Sequence, residues 1–180
     1  MPAAIPVRTV DDLERIPEDG NRYELLDGVV LVTPAPSVGH QIVVSRIQAQ
    51  LIAALQLPGF AHVVSPGAIA APPRTQLQPD LLVFPARFGP RADWGSVTEH
   101  WLAVEVLSRS SRLYDCEFKR AAYFALGVPQ VWLVDPWDRR VEVWSSRRAR
   151  LVETHAMRWR VPAIERDVSL DLGAVFADFA

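Results

Sequence analysis

The sequence predicts a mixed α/β fold, a central β-sheet flanked by helices. Three observations predict it. Asp80 to Phe84 and Trp101 to Leu107 are almost wholly apolar apart from one acid each, the composition of strands covered on both faces. Ser37 to Gln56 and Arg112 to Leu126 place apolar residues at helical spacing and supply covering layers. Two hairpin signals, at Asp27-Gly28 and around Pro136-Trp137-Asp138, add antiparallel partners. A chain of 180 residues with 49% hydrophobic content suits a single domain, 1–180, with a sizeable core.

In chain order, Thr9 caps a short helix reaching Ile16, with Asp12 near its N-terminal dipole. Arg22 to Leu26 and Val29 to Thr33 flank the Asp27-Gly28 turn, and Pro34 and Pro36 end that hairpin. Ser37 is the N-cap of the long helix, whose apolar positions Ile42, Val43, Ile47, Leu51, Ala54 and Leu55 follow helical spacing and which stops at Pro58-Gly59. His62 to Ser65 is a strand candidate that can extend to Ala70. The polar stretch from Pro85 to Glu99, with its Gly and Pro, reads as a mobile loop. On the second helix, Tyr114, Phe118, Ala121, Ala122 and Ala125 form the face expected to pack on the sheet, and Gly127 with Pro129 closes it. Gln130 to Val134 and Arg140 to Trp144 make the second hairpin. The tail, 146–180, is weaker in pattern, with a terminal helix after Leu172.

Composition narrows the function classes. No stretch resembles a secretory signal or is long enough to span a bilayer, so a soluble, cytoplasmic protein without membrane association is expected. The one cysteine, Cys116, excludes an internal disulfide and a cysteine-rich zinc site, and reads as a small buried hydrophobe. A net charge of −2 excludes a molecule drawn to nucleic acid by its overall charge. Locally, Arg139 to Arg160 holds seven arginines against Glu142 and Glu153, a balance of +5. That segment is either a phosphate-binding patch or the solvated face of an edge hairpin. Of the tryptophans, Trp132 and Trp144 fit strand interiors, and Trp137, beside Arg139 and Arg140, is the one placed for a stacking contact.

Of 19 basic residues, 18 are arginine, and the single lysine, Lys119, stands in the richest polar constellation of the chain. That constellation begins with Asp80 and Glu105, which interrupt the two most apolar strands. An acid there is unfavourable unless paired or metal-bound. Either alone reads as a strand-end acid that reaches solvent or pairs with an arginine; two on neighbouring strands fit that explanation less well. Asp115, Lys119 and Tyr123 follow at i, i+4 and i+8 on one helix face. Asp115 and Lys119 form either a plain surface ion pair or a helix from which Lys119 reaches back to the carboxylates. Two carboxylates and an amine suit phosphodiester hydrolysis, because Mg²⁺ takes one or two protein carboxylates and keeps several waters, while an ammonium offsets charge in the transition state. No Gly-x-Ser-x-Gly elbow is present, which disfavours an esterase-type triad. His62, His100 and His155 lack metal-ligand spacing.

Pro79-Asp80, Glu105-Val-Leu-Ser-x-Ser-Ser, Asp115-x-x-x-Lys119, Tyr123 and Gly127-Val-Pro-Gln-Val-Trp-Leu-Val-Asp-Pro136 together resemble the bacterial Uma-two endonuclease family of the PD-(D/E)XK superfamily. Tyr23-Glu-Leu-Leu-Asp-Gly28 and Ser37-x-x-His40 are similar to its opening motifs, and the resemblance spans roughly residues 10 to 145. It implies a restriction-endonuclease-like fold with Asp80 and Glu105 as metal ligands, assisted by the Val106 carbonyl, and Glu24 as an extra acid. His40, Asp115 and Tyr123 take supporting roles. Leu107 stands where the superfamily's usual lysine falls, and Lys119 matches the family's placement of that lysine on the following helix.

The leading expectation is therefore Mg²⁺-dependent cleavage of DNA, with Mn²⁺ able to substitute. A binding or interaction module without catalysis, acting through the arginine-rich segment, is the alternative. Structured DNA or RNA as substrate fits the sequence equally well, and a homodimer is the base-rate expectation for assembly.

Overall fold

The computed structural model describes residues 8–13, 15–108, 115–146 and 150–179, with only the backbone of Asp115 included. Thr9 caps the short helix α1 (Val10–Leu13) reciprocally: its Oγ1 accepts from Asp12 N, and its own N–H donates to Asp12 Oδ2. Strands β1 (Arg22–Leu26) and β2 (Val29–Thr33) turn at Asp27 and Gly28, whose φ values of 50° and 80° suit an Asp-Gly pair. Helix α2 (Val38–Leu51) is capped by Ser37 and runs on through a π turn, Ile52–Gln56. Next come β3 (Ala61–Val64), β4 (Ile69–Ala71), β5 (Thr75–Leu77), β6 (Leu81–Pro85) and β7 (Leu102–Val106). A π turn, Asp115–Lys119, leads into α3 (Arg120–Ala125), which Gly127 ends at φ 83°. Strands β8 (Val131–Asp135), β9 (Arg140–Trp144), β10 (Arg150–Glu153), β11 (Ala156–Val161) and β12 (Arg166–Asp171) precede helix α4 (Leu172–Val175).

Six strands form the main sheet in the order β10-β9-β8-β7-β6-β3, with β7 and β8 parallel and the other neighbours antiparallel. Every residue of β6, β7 and β8 is buried, as their apolar composition requires. Successive side chains alternate between two cores. Leu81, Val83, Leu102, Val104, Val106, Trp132 and Val134 face α2 on one side. Leu82, Phe84, Ala103, Leu107, Val131 and Leu133 face α3 on the other, where the small sheet β2-β1-β5-β4 also lies. The two sheets approach closely at Gly67: a Cβ there would sit 2.3 Å from that of Leu82.

The stretch from Pro85 to Glu99, read as a mobile loop, is largely exposed and carries three contacts: Val97 is buried, Trp94 meets Phe84 edge-on at 6.1 Å, and Arg87 pairs with Glu99. Two expectations change. On the second helix, Phe118 is exposed, while Lys119, Ala122 and Tyr123 are buried. The polar face turns inward because acids on the sheet await it. The tail is structural: Met157, Trp159, Val161, Val168, Leu170, Val175 and Phe176 all belong to the α2-side core. Trp159 packs edge-to-face on Trp132 with centroids 5.3 Å apart. Cys116 is half-buried against the α3-side core. Trp137 is half-exposed, and the Trp144 ring lies under the Arg120 guanidinium at 3.7 Å. Among the described residues, no helix is long and apolar enough to cross a membrane.

Candidate active site

Strand register brings the two acids together. Strands β6 and β7 pair with Leu81 opposite Val104 and Leu82 opposite Ala103, so the next step sets Asp80 opposite Glu105. Alternation points both to the α3 side, with Leu82 and Ala103. Both are buried, at 4% and 2% exposure.

Asp80 is surrounded by donors. Its Oδ2 lies 3.0 Å from His40 Nε2 and accepts from Val106 N at 2.9 Å, and its Oδ1 accepts from Arg22 Nη1 at 3.0 Å. Burial alone would push this carboxyl up, but the His40 hydrogen bond and charge, the Arg22 charge and the Val106 N–H outweigh it and hold Asp80 below its ordinary value. An ionised carboxylate only accepts, so His40 Nε2 carries the proton in this bond. His40 is placed by the start of α2, where its N–H donates to the Ser37 cap. Arg22 also donates to the Gln78 carbonyl; burial works against its charge, yet Asp80, Glu105 and Glu24 hold it firmly protonated.

Glu105 has a different surrounding. Its Oε1 accepts from Lys119 Nζ at 3.2 Å and from the Tyr123 hydroxyl. Lys119 Nζ also stands 2.7 Å from Glu24 Oε2, an ion contact that is not aligned as a hydrogen bond. Glu24, fully buried on β1, accepts from Gln78 N through its other oxygen at 2.6 Å. A compact ammonium thus sits between two carboxylates, with only 3% of the lysine exposed.

Asp80, Glu105, Lys119, His40 and Arg22 line one cavity of about 190 Å³, together with Val106, Ser108 and the segment Thr33 to Ser37. Of the residues singled out from sequence, Asp80, Glu105, Lys119, Glu24, His40 and Tyr123 are brought together, and the Asp115 side chain lies outside the described residues. Arg22 is the site residue that the sequence reading missed. Its signal was the period of two that sets it on the same face of β1 as Glu24.

Among the described residues, and with His40 neutral, the formal charges of Glu24, Asp80 and Glu105 outnumber those of Arg22 and Lys119 by three to two. Hard oxygen donors with residual negative charge fit a divalent cation such as Mg²⁺. Among the described residues, no group of three or more His, Cys, Asp or Glu side chains is placed to hold a metal ion.

A six-stranded mixed sheet, helices on its faces and two acids opposed on adjacent strands make up a restriction-endonuclease-like fold. Residues 10–173 match the Uma2 family, described as "Putative restriction endonuclease", and the chain belongs to that family. The match continues past residue 145 through the tail hairpin. The fold is similar to the crystal structure of a "putative nuclease belonging to DUF820" from Anabaena variabilis, at 18% identity and a TM-score of 0.78, covering 96% of this chain and 99% of that one. No curated protein matches the sequence.

Proposed function

We propose that the protein is a Mg²⁺-dependent DNA endonuclease, with Asp80 and Glu105 as metal ligands. The observation that carries this reading is the opposed pair Asp80 and Glu105 in one cavity with Lys119 Nζ 3.2 Å from Glu105. Membership of a family described as "Putative restriction endonuclease" supports it. When bound, the cation would activate a water and offset charge on the phosphoryl group. Lys119 supplies a positive charge at the place where the attacked phosphate gains negative charge, and Glu24 holds its ammonium in position. Tyr123 fixes the Glu105 carboxylate, while His40 and the Val106 N–H fix that of Asp80. The alternative through the arginine-rich segment has less support. Arg140 pairs with Asp138 at 3.1 Å, Arg150 with Glu142 at 3.2 Å, and Arg160 lies 3.7 Å from Asp167.

The test is cleavage of supercoiled plasmid, single-stranded DNA and RNA with Mg²⁺ or Mn²⁺, beside calorimetric titration of each metal. DNA should be cut only with metal. Glu105→Gln should weaken metal binding, and Lys119→Ala should slow cleavage by about 10²–10³-fold, the usual loss on removing one charge-stabilising donor. Cleavage undiminished in Asp80→Ala, or none of any substrate with either metal, would overturn the reading.

A further inference from the structure

The cavity at the acids opens beside a second one of about 390 Å³, and the two share Arg22 and Pro34 to Pro36 as a common wall. The first, at about 190 Å³, falls below the range of pockets that enclose a small organic molecule, about 300–1,000 Å³, and the second falls inside it. A phosphate fits at the acids, so the sugar and base attached to it must lie elsewhere.

The lining of the second cavity has two characters. Ile16, Pro17 and Pro34 give apolar surface, and of three carboxamides Asn21 donates to Asp19 and Gln78 to the Tyr23 carbonyl, while Gln76 remains. Among the described residues the Gln76 side chain makes no hydrogen bond, so its donor and acceptor are both available. Charge disfavours a second phosphate here: Glu18 lines the cavity, and its one described cation, Arg22, is committed to Asp80. A neutral heterocycle with flat apolar faces and an edge of alternating donors and acceptors meets both characters.

We propose that this cavity is a subsite for an unpaired nucleobase of the DNA strand, best an adenine, seated beside the phosphate held at the acids. A carboxamide pairs bidentately with the N6 and N7 edge of adenine, and the apolar wall takes the ring face. The inference rests on the nuclease reading and narrows it. A base can enter a recess of this kind only from outside the stack, and extrusion is least unfavourable for a bulged or single-stranded nucleotide. The preferred substrate is then DNA with an unpaired nucleotide next to the scissile bond.

Fluorescence anisotropy of the full chain in EDTA tests this with three DNA hairpins: one with a single bulged adenosine, one with an abasic bulge, and one fully paired. The bulged adenosine should bind at least about tenfold tighter than the abasic bulge, within the range of one stacked base. Gln76→Ala and Asn21→Ala, singly and together, should move that ratio toward one. Equal binding of the three DNAs, no binding of any, or a ratio unchanged in the double variant overturns the subsite. Mg²⁺-dependent cleavage of the same DNAs separates the two readings. Paired DNA cut as fast as bulged DNA, with no binding preference, leaves the nuclease without the subsite. A binding preference with no cleavage leaves the subsite without the nuclease.

Discussion

Lys119 shows why a chain that otherwise uses arginine keeps one lysine. Between Glu24 at 2.7 Å and Glu105 at 3.2 Å, a guanidinium would need more room and a planar fork of partners, while an ammonium donates in three directions from a point. Removing one partner of a buried ion pair is strongly destabilising because the remaining charge is stranded. Lys119→Met should therefore lower stability in urea unfolding by about 3–5 kcal/mol. Adding Glu24→Gln, which removes one stranded charge, should recover part of that loss. If the double variant is no more stable than Lys119→Met, the two side chains are not coupled. A second residue sets a pH response. His100 is buried, its Nε2 has no hydrogen-bond partner among the described residues, and burial holds it below its ordinary value of 6.5. The unfolded chain then binds the proton more readily, so stability is fully present above about pH 6.5 and falls as pH drops toward the depressed folded value. Thermal melts from pH 7.5 to 5.5 should show a smaller decline in His100→Leu than in the wild type. Equal slopes would assign the decline to other groups.

At the scale of elements, what could be read from sequence was whatever repeats or turns. The apolar runs of β6 and β7, the Asp27-Gly28 turn and the Ser37 cap each carry a local signal strong enough to survive in the fold. Strands β4 and β5, three residues each around Pro72-Pro73, carry no period long enough to detect. The inward face of the second helix departs from its apolar pattern for a physical reason. Hydrophobicity favours burying Phe118, but Glu24 and Glu105 make it more favourable to bury Lys119 and leave Phe118 outside. Asp80 and Glu105 were legible as odd acids in apolar strands. Arg22 carried only the period of two that sets it beside Glu24 on β1, and nothing near it in sequence points to Asp80, 58 residues away. The link between the two sheets depends on Gly67. Gly67→Ala places a methyl 2.3 Å from the Leu82 Cβ, which cannot rotate away, and should lower stability by about 1–3 kcal/mol in denaturant unfolding. An unchanged midpoint would mean that the segment shifts aside without loss.

For the molecule as a whole, the division of the main sheet into two faces separates stability from the candidate chemistry. The β11–β12 hairpin seals the α2-side core through Met157, Trp159, Val161, Val168 and Leu170, while Asp80 and Glu105 point to the α3 side. Strand β11 alternates buried and exposed along its whole length, so Arg158 and Arg160 are the solvent face of the strand whose other face holds Trp159. Part of the apparent basic patch is thereby explained as the outside of a structural hairpin. Substitutions at three consecutive positions should then behave in opposite ways. Trp159→Ala removes a buried indole packed on Trp132 and should lower stability by about 3–5 kcal/mol. Arg158→Glu with Arg160→Glu should leave the melting transition nearly in place. That pair should also leave the salt dependence of DNA binding unchanged, whereas removing an arginine that binds a phosphate would reduce its slope by about one. A slope reduced by about two in the paired variant would return the hairpin to the nucleic-acid interface, and the DNA would then have to reach both faces of the sheet.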